Sequence, residues 1–409
     1  MNESIKLVSI PEEQYSTYKY EAIFQAYKWD PQVEDHNTVS RHALLLNPET
    51  ANQLKNWAEA LSLETMRMEE ALIKRPDLWK ELSLPRKVAK ALHRSYDYRQ
   101  EDHVRLMRFD FHPTENGWAV SEVNSDVPGG LAEASVLPEI AEKYLENCTP
   151  RYHIGQCLYE AFREKLPKNS TVAFVHATSY SDDRQVMQFL SDYFEQKGVR
   201  TVFAGPDHLQ WKQRQAYSIL DGADGIVEGI VRFFPLEWLE NLPRKSKWRG
   251  YYDCAALSCN HPAAIVTQSK RLPLIWEKTG ISIPVWKTLL PETRDPRAID
   301  SNSHDWILKP ALGRVGEGIS IEEAITEKEL KNIKKAVRRH PDMWVAQKKF
   351  ESRPLITDGE ETYHLCLGVF TVNGRCAGFY GRISPFARID DRAKDIPVLI
   401  MKERKEYAG

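Results

Sequence analysis

The sequence lacks the features that mark several large classes of protein. None of its apolar runs approaches the roughly 20 residues that span a bilayer. The N-terminus lacks the apolar segment of a signal peptide. The formal net charge is −2 and no long basic run occurs. The sequence therefore predicts no basic surface that would bind a nucleic acid or an anionic membrane. We therefore expect a cytoplasmic protein that binds neither nucleic acid nor membrane.

Common catalytic and metal-binding motifs are also missing. The six cysteines form no CxxC pair, and without an export signal they are interpreted as reduced thiols, which makes zinc binding unexpected. The twelve histidines form no HExxH pattern. No GxSxG elbow and no Walker sequence with GK[ST] occurs, so hydrolase and P-loop interpretations have no support.

What is present is the composition of a globular protein, with 409 residues, 42% hydrophobic and 28% charged. Residues 1–100 are predicted to be mostly helical, because apolar residues follow helical spacing after a cap at Asn47 or Thr50. From about 151 to 265, TVAFVHATSY predicts a strand buried on both faces, and the helix after it should end at Gly198. This alternation indicates a parallel βαβ unit.

The last third of the chain has a different pattern. YHLCLGVFTV and RCAGFYGRIS predict alternating strands joined by a turn at Asn373 and Gly374, which indicates an antiparallel sheet. DWILKPALGRVGEGISI is interpreted as a strand, a glycine-bearing loop and a second strand.

Polar residues recur on two neighbouring strand-like runs, RFDFHPT and WAVSEVN. Arg108 and Asp110 share one face of the first strand, and Glu122 and Asn124 share one face of the second. The two pairs face the same way if the loop is odd in length, as a loop at 113–117 would be and a two-residue turn at 116–117 would not. On a shared face the oxygen ligands suit a hard cation such as Mg²⁺. The alternative is a solvated hairpin on which Arg108 bridges the acids.

A second polar group follows the strand WILKP. Lys309, at the end of an apolar strand, requires a partner such as phosphate, and the glycines after it could close their backbone N–H groups over an anion. The segment VAQKKFES, 345–352, could border an adenine ring. The alternatives are an ordinary surface loop with a solvated lysine and an edge strand with exposed lysines.

Together these fragments resemble the synthetase domain of glutathionylspermidine synthase, in the ATP-grasp superfamily of carboxylate–amine ligases. The resemblance rests on RFDF with SEVNSDVP, VRFFPLEWL, TQSKRLPLIW, ILKPALGRVGEGISI and GFYGRIS, and it covers most of the chain from about Tyr18. It implies an α/β (α+β) fold, an ATP-grasp fold in permuted order with a pre-ATP-grasp Rossmann-like parallel-sheet domain and a helical N-terminal region. The order is permuted because the lysines follow the E-x-N element, whereas in most ATP-grasp proteins they precede it.

On this resemblance we divide the chain into four parts. Residues 1–100 would form the helical N-terminal region, and 101–150 would add a metal-binding hairpin and a helix to the ATP-grasp core. Residues 151–268 would form the Rossmann-like domain, and 269–409 the nucleotide-binding region.

The resemblance also implies a function and its residues. The protein would be an ADP-forming ligase that joins a small-molecule or peptide carboxylate to an amine through an acyl phosphate, using ATP and Mg²⁺, with two ions expected. The metal ligands would be Asp110, Glu122 and Asn124. Arg108 would stabilise the transferred phosphoryl group, and Arg382 the acyl phosphate or tetrahedral intermediate. The ATP contacts would be Lys270, Lys309, Gly313, Arg314, Gly316, Gly318, Gln347 and Lys348. Ser125 and Asp126 are candidate substrate contacts.

One departure from the family pattern concerns the acid substrate. Family members tend to place hydroxyl residues after the aspartate, as in D-T-P followed by Thr or Ser, whereas this chain has DVPGG at 126–130, which leaves glutathione in question as the acid. No room remains for a separate amidase domain, so we expect no second activity of that kind. The alternative function is a non-catalytic nucleotide-binding or regulatory protein that keeps the fold. A Rossmann-type dehydrogenase is not favoured, because TVAFVHATSYSDD lacks the glycine fingerprint.

Overall fold

Both helices and strands occur along the computed structural model, which describes residues 4–29, 31–300, 303–313 and 318–403. Ten α-helices lie in these ranges: α1 Glu12–Gln25, α2 Pro48–Ile73, α3 Pro76–Trp79, α4 Arg86–Leu92, α5 Leu131–Ala141, α6 Ile154–Lys165, α7 Ser181–Gln196, α8 Ile265–Gln268, α9 Pro284–Leu289 and α10 Glu327–Arg339.

Strands are numbered in the same way over the described residues. They are β1 Ile5–Ser9, β2 Gln32–Val33, β3 His36–Asn37, β4 His42–Leu46, β5 Leu106–Thr114, β6 Gly117–Asn124, β7 Cys148–Thr149, β8 Thr171–His176, β9 Arg200–Ala204, β10 Leu209–Lys212, β11 Gln215–Ser218, β12 Gly225–Val227, β13 Gly229–Phe233, β14 Leu257–Cys259, β15 Thr293–Arg294, β16 Trp306–Pro310, β17 Trp344–Lys348, β18 Leu355–Ile356, β19 Thr362–Val372, β20 Arg375–Ser384, β21 Lys394–Ile396 and β22 Val398–Met401.

The N-terminal region is built around the long helix α2. Asn47 caps this helix by accepting a hydrogen bond from the backbone N–H of Thr50 at 2.8 Å, which resolves the two alternatives for the cap. The region also contains strands that the helical pattern did not predict. β1 pairs with β4, and β4 pairs in parallel with β22 from the far end of the described chain.

Four strands form a parallel sheet in the order β14-β13-β8-β9. All six residues of β8 are buried, as expected for a strand covered on both faces. Helix α7 follows β8 and ends before Gly198, whose positive φ of 79° stops the helix. The parallel βαβ unit is therefore confirmed.

The central sheet has the order β21-β20-β19-β5-β6, with β18 attached to β19. Its β19–β20 hairpin turns at Asn373 and Gly374, both at positive φ, as the sequence predicted. This sheet joins the hairpin of residues 106–124 to strands more than two hundred residues later. The four-part division of the chain remains a proposal, and this sheet draws strands from its second and fourth parts.

A smaller antiparallel sheet has the order β15-β17-β16, with β17 at its centre rather than at an edge. Lys309 lies in β16 and Gln347 in β17. The second strand expected in GISI was wrong, because residues 318–321 form no strand. Their backbone instead contacts β16 through one hydrogen bond, from Ser320 N–H to the Leu308 carbonyl at 3.1 Å.

The register of the β5–β6 hairpin differs from both sequence alternatives. Its turn comprises only Glu115 and Asn116, because Thr114 pairs with Gly117. An even turn alone would set Asp110 opposite Ser121. The register instead shifts between Asp110 and Phe111, so Asp110 pairs with Glu122 and Arg108 pairs with Asn124. Ser121 is therefore the extra residue of a β-bulge, which restores the shared face.

Two further observations concern the chain as a whole. In the described ranges, no helix combines the length and apolar character required to cross a lipid bilayer. All six cysteines are described and are present as free thiols.

Candidate active site

Polar side chains from four adjacent strands share one face of the central sheet. Directly opposed residues of antiparallel strands point to the same face, so register alone assigns them. One row crosses the sheet from Tyr380 through Gly368 and Asp110 to Glu122. The adjacent rows add Arg382 opposite Cys366, and Arg108 between Phe370 and Asn124. The predicted metal and catalytic residues are therefore brought together by the structure.

Arg108 is the most heavily contacted cation on this face. Its Nε and Nη2 atoms donate to the two carboxylate oxygens of Asp110 at 2.7 and 2.9 Å, and its Nη1 donates to the Gly129 carbonyl at 2.7 Å. The guanidinium carbon lies 5.1 Å from the ring centroid of Tyr380 and 5.9 Å from that of Phe370. Burial opposes its charge, but Asp110 raises the pKa of Arg108 above its ordinary value. The guanidinium is thus fixed in position and charged.

Two glycines make room for this arrangement. A Cβ atom on Gly368 would lie 2.6 Å from Cδ of Arg108, so only glycine lets the arginine side chain lie flat across β19. Gly130, at a φ of 90°, sits against Tyr380, and a Cβ there would lie 2.8 Å from three atoms of the ring. The DVPGG segment therefore packs directly on the aromatic support of Arg108.

Glu122 joins the sheet to a lysine from a separate segment. Its Oε2 lies 2.8 Å from Nζ of Lys270, which also donates to the Gly313 carbonyl at 2.7 Å. Burial alone would raise the pKa of Glu122, but the ammonium groups of Lys270 and Lys309 lower it to about 2. The carboxylate is therefore ionised at every physiological pH.

Lys309 projects from β16 toward the same carboxylate. Its Nζ donates to Oε1 of Gln347 at 2.6 Å and to the Ser121 carbonyl at 3.4 Å, so the bulge residue contributes an acceptor. Burial lowers the pKa of Lys309 to about 8, with Lys270 adding to the effect and Glu122 opposing it. A buried lysine with a lowered pKa is stabilised by any anion that approaches it.

Arg382 lies at the opposite end of the face from Glu122. It donates a hydrogen bond to the Asp390 carbonyl and stands directly across from Asp395 on β21. Burial opposes its charge, while Tyr380 and Asp395 raise the pKa of Arg382 above its ordinary value. Arg382 therefore lies on β20 at one side of this face, whereas Lys270 contacts Glu122 on β6 at the other side.

A small pocket, with about 40 Å³ accessible to water, opens beside the two lysines. Its wall combines charged groups with large apolar side chains: Glu122, Lys270, Lys309, Trp276, Trp286 and Leu290. Mostly apolar pockets with a few convergent polar groups are typical ligand sites. Gln347 also lines the cavity, whereas the Lys348 side chain is exposed and its backbone N–H donates to the Glu292 carbonyl at 2.7 Å.

The glycine-bearing loop is described only in part. Gly313 contacts Lys270 through its carbonyl, and Gly318 has a positive φ of 67°. The other two predicted ATP contacts in this loop, Arg314 and Gly316, lie outside the described residues.

Ser125 and Asp126, the candidate substrate contacts, lie in the protein interior. Both are fully buried, and both backbone N–H groups donate to Oε1 of Gln268 at 2.8 Å. The Ser125 hydroxyl lies 2.7 Å from that of Thr267. The Asp126 carboxylate pairs with Arg232 and accepts a hydrogen bond from the Leu236 N–H at 3.0 Å. These contacts fix the end of β6 against the parallel sheet.

Sequence reasoning did not identify several residues that shape this face. Tyr380 could have been found, because it stands two residues before Arg382 on one strand and must share its face. Gly368 and Asp395 gave no such signal, since their roles depend on which strands pair. Lys28, which pairs with both Asp395 and Glu133, belongs to no sequence pattern.

The expected metal ligands already make contacts within the protein. Among the described residues, no group of three or more His, Cys, Asp or Glu side chains is arranged to hold a metal ion. The expected ligand set has only two carboxylates, and both are paired with cations, while Asn124 Nδ2 donates to Asp110 Oδ2 at 3.0 Å. Arg108, Lys270 and Lys309 against Asp110 and Glu122 give three positive and two negative charges. The donor set therefore fits Mg²⁺ that arrives together with anionic oxygens.

The fold is shared with a solved structure. A glutathione synthetase-like effector from Globodera pallida, in its apo form, superposes with a TM-score of 0.65 at 13% identity, covering 94% of this chain and 96% of that one. At this identity the likeness concerns the fold alone. The expected α/β fold, a permuted ATP-grasp fold with a Rossmann-like domain, is confirmed.

Two sequence comparisons also found similar proteins. A curated protein from Haemophilus influenzae (strain ATCC 51907 / DSM 11121 / KW20 / Rd), named "Putative acid--amine ligase", is 22% identical over 230 residues, which are 54% of this chain and 56% of that protein. This chain thus spans little more than half the length of that relative. The family model described as glutathionylspermidine synthase preATP-grasp matches residues 11–401. The chain therefore belongs to the glutathionylspermidine synthase preATP-grasp family.

Proposed function

We propose that this protein is an ATP-dependent, ADP-forming ligase that joins a carboxylate to an amine through an acyl phosphate. The observation that carries the proposal is the convergence of Lys270 and Lys309, from two separate segments, on the Glu122 carboxylate beside the Arg108–Asp110 pair. Arg108, Lys270 and Lys309 exceed the two carboxylates by one positive charge, which an anionic partner such as a triphosphate would balance. The family membership and the name of the Haemophilus influenzae relative support the same chemistry.

The residues divide naturally between the parts of a nucleotide. Lys270 and Lys309 would contact the phosphates, because both ammonium groups line the cavity next to Glu122. The apolar wall formed by Trp276, Trp286 and Leu290 would hold the base. Asp110, Glu122 and Asn124 would hold Mg²⁺, and an ion bound there supplies neutralisation of charge on the phosphate oxygens.

Bond formation would then proceed in two steps. An oxygen of the substrate carboxylate attacks the γ-phosphorus, the bond to the β,γ-bridging oxygen breaks, and ADP leaves. Arg108 would stabilise the charge on the transferred phosphoryl group, since its guanidinium is already fixed by Asp110 and Tyr380. The amine nitrogen next attacks the acyl carbon, loses a proton, and inorganic phosphate leaves. Arg382 would stabilise the oxyanion formed in this second step.

The test is to identify the products released from ATP. Purified protein incubated with ATP, Mg²⁺ and paired panels of amino acids, small peptides and polyamines is expected to release ADP and phosphate in equal amounts only when a suitable pair is present. Release of AMP and pyrophosphate would contradict the proposal. The Glu122→Gln variant is the control, because it keeps the shape of the side chain but removes a charge from the proposed metal site.

The second candidate, a nucleotide-binding protein without catalysis, predicts a different result. It would bind ATP with Mg²⁺ in calorimetry yet release no ADP with any pair. The complete set of charged residues on the sheet face favours the ligase, because binding alone does not require an arginine held over an aromatic ring.

Replacing Gly368 with alanine is expected to lower the rate of ADP release about 10²-fold, because a misplacement near 1 Å has effects of this size. The new Cβ would meet Arg108 at 2.6 Å and push its side chain off the sheet. Gly359→Ala is the matched control, since a Cβ there meets nothing closer than Thr357 at 3.8 Å. Steady-state kinetics check the prediction, and equal rates for the two variants would refute it.

ATP affinity is expected to fall as the pH rises through about 8, the pKa of the buried Lys309. Above that value the free protein loses the ammonium charge, so affinity should fall by about tenfold at one pH unit higher. Lys309→Arg keeps its charge throughout this range and should show a nearly flat profile between pH 7 and 9. Calorimetric titration with ATP at several pH values measures the affinity of both proteins. If the affinities of wild type and Lys309→Arg fall in parallel with pH, Lys309 is not the titrating group.

A further inference from the structure

Lys28 reaches the proposed phosphoryl-transfer site from the N-terminal region. Its ammonium lies 2.8 Å from Oδ2 of Asp395 and 3.2 Å from Oε1 of Glu133. Asp395 is on β21 and Glu133 is in the first turn of α5. Lys28 thus joins three segments that are far apart in sequence.

The direction of the Lys28 side chain is set by its two neighbours. The Tyr27 hydroxyl donates to Asp192 at 2.8 Å, and the Trp29 N–H donates to Gln185 at 3.2 Å, so both flanking residues are attached to α7. Tyr27 also has a positive φ of 56°, which is uncommon for a residue with a side chain. The backbone is held in this conformation with Lys28 pointing inward.

Asp395 contacts both Lys28 and Tyr380. Its second carboxylate oxygen accepts a hydrogen bond from the Tyr380 hydroxyl at 2.6 Å. Its backbone is fixed as well, because the Asp395 N–H donates to the Thr38 carbonyl at 2.7 Å and its carbonyl accepts from the Ser40 N–H at 3.0 Å. With Lys28 on one oxygen and Tyr380 on the other, the carboxylate has little freedom to rotate.

Tyr380 in turn supports Arg108. The guanidinium carbon lies 5.1 Å from the ring centroid, and Gly130 packs against the ring closely enough to exclude a side chain. A continuous series of contacts therefore runs from Lys28 through Asp395 and Tyr380 to Arg108, and from there to Asp110.

The charges explain why an ammonium is needed at this position. Glu133 and Asp395 are 7% and 4% exposed, and two buried carboxylates this close to one cation would repel each other without it. Burial opposes the charge of Lys28, but Asp395 and Glu133 raise its pKa well above the ordinary value. Without Lys28, Asp395 would be drawn toward Arg382, the arginine opposite it on β20.

We propose that Lys28 is a positioning residue that holds Asp395 and Tyr380 in place, so that Tyr380 supports Arg108 at the phosphoryl-transfer centre. The inference rests on the proposed ligase function for the role of Arg108. It adds a residue outside the sheet, the cavity and the motifs of the sequence.

The kinetic test uses Lys28→Met, which keeps the length of the side chain and removes the charge. We expect kcat for ADP release to fall by about 10- to 100-fold with KM for ATP within about twofold, because a displaced Arg108 impairs the transfer rather than the binding. Lys143→Met is the matched control. Its ammonium pairs with Glu21 at 2.9 Å and links α1 to the segment after α5 without touching Asp395. A purely structural role would lower the amount of active protein and leave kcat per active site unchanged.

The path through Asp395 is tested by a double-mutant cycle. Tyr380→Phe removes only the hydroxyl, so it also serves if Lys28→Met does not fold. If the two residues act in series, the double variant should lose no more activity than the more damaged single variant. Multiplied losses would show that Lys28 acts independently of Tyr380 and would overturn the inference.

A measurement without turnover separates this inference from the proposed function. Phenylglyoxal modifies accessible arginines, and peptide mapping reports each site. Lys28→Met should raise the modification rate of Arg108 several-fold over wild type, and Lys143→Met should not. Absence of ADP release by the wild-type protein would refute the ligase but leave this result to decide the positioning role. An unchanged rate at Arg108 would refute the positioning role.

Discussion

Replacing Arg108 with lysine is expected to lower the rate of ADP release by about 10³-fold, the contribution found for arginines that stabilise phosphoryl transfer. A lysine ammonium cannot donate to both oxygens of Asp110 and to the Gly129 carbonyl in the geometry that Arg108 uses. It also lacks the planar group that lies over Tyr380. The charge is conserved, so the loss would reflect geometry rather than net charge.

Two measurements made on the same Arg108→Lys variant serve as controls. The dissociation constant for ATP should stay within a few-fold of wild type, because Lys270 and Lys309 line the cavity independently of Arg108. The midpoint of thermal unfolding reports whether Asp110 remains satisfied by the new ammonium. A variant that keeps the wild-type rate would remove Arg108 from the reaction, and a parallel loss of ATP affinity would assign it to binding.

Replacing Asp126 with asparagine is expected to destabilise the fold by about 3–5 kcal/mol, the usual effect of removing one partner from a buried ion pair. Asp126 is fully buried. Its carboxylate forms an ion pair with Arg232 and accepts a hydrogen bond from the N–H of Leu236. An amide would leave the Arg232 guanidinium without a counter-charge in the interior.

Denaturant unfolding followed by fluorescence measures this loss of stability. Asp77→Asn is the control, since Asp77 pairs with Arg75 at the surface, where exposed ion pairs contribute little, and its unfolding midpoint should not move. Asp126 is also the residue that the sequence suggested as a substrate contact. If that suggestion is right, Asp126→Asn would raise KM for the acid or amine while the unfolding midpoint stays constant, which is the opposite of the result expected here.

Sequence periodicity predicted the elements that are locally determined. The buried strand β8, the helix α7 with its end at Gly198, and the Asn373–Gly374 turn all depend on residues close together in the chain. Alternation also placed Asp110 and Arg108 on one face of a strand. Alternation could not decide whether the polar residues of β5 and β6 share a face. That depends on the register of the two strands, which a single extra residue, Ser121, shifts.

Longer-range features were not accessible from local patterns. The strands β1 and β4 were missed because their partners include β22, and short apolar runs next to helices carry no distinctive period. Gly368 is an ordinary strand residue until β19 is known to pair with β5. Lys28 looks like any solvated lysine after a helix, and only the folded chain places two carboxylates around it. The family resemblance supplied candidate roles for residues that physical reasoning left as alternatives.

The pairing of β5 with β19 also sets an order of events during synthesis. Strand β5 ends at Thr114 and β19 begins at Thr362, so β5 leaves the ribosome long before its neighbour exists. At ordinary rates of translation this interval is on the order of tens of seconds. During it one edge of the hairpin remains open to pairing with other chains, and that exposure favours aggregation. We expect the nascent hairpin to be a binding site for chaperones until β19 has emerged.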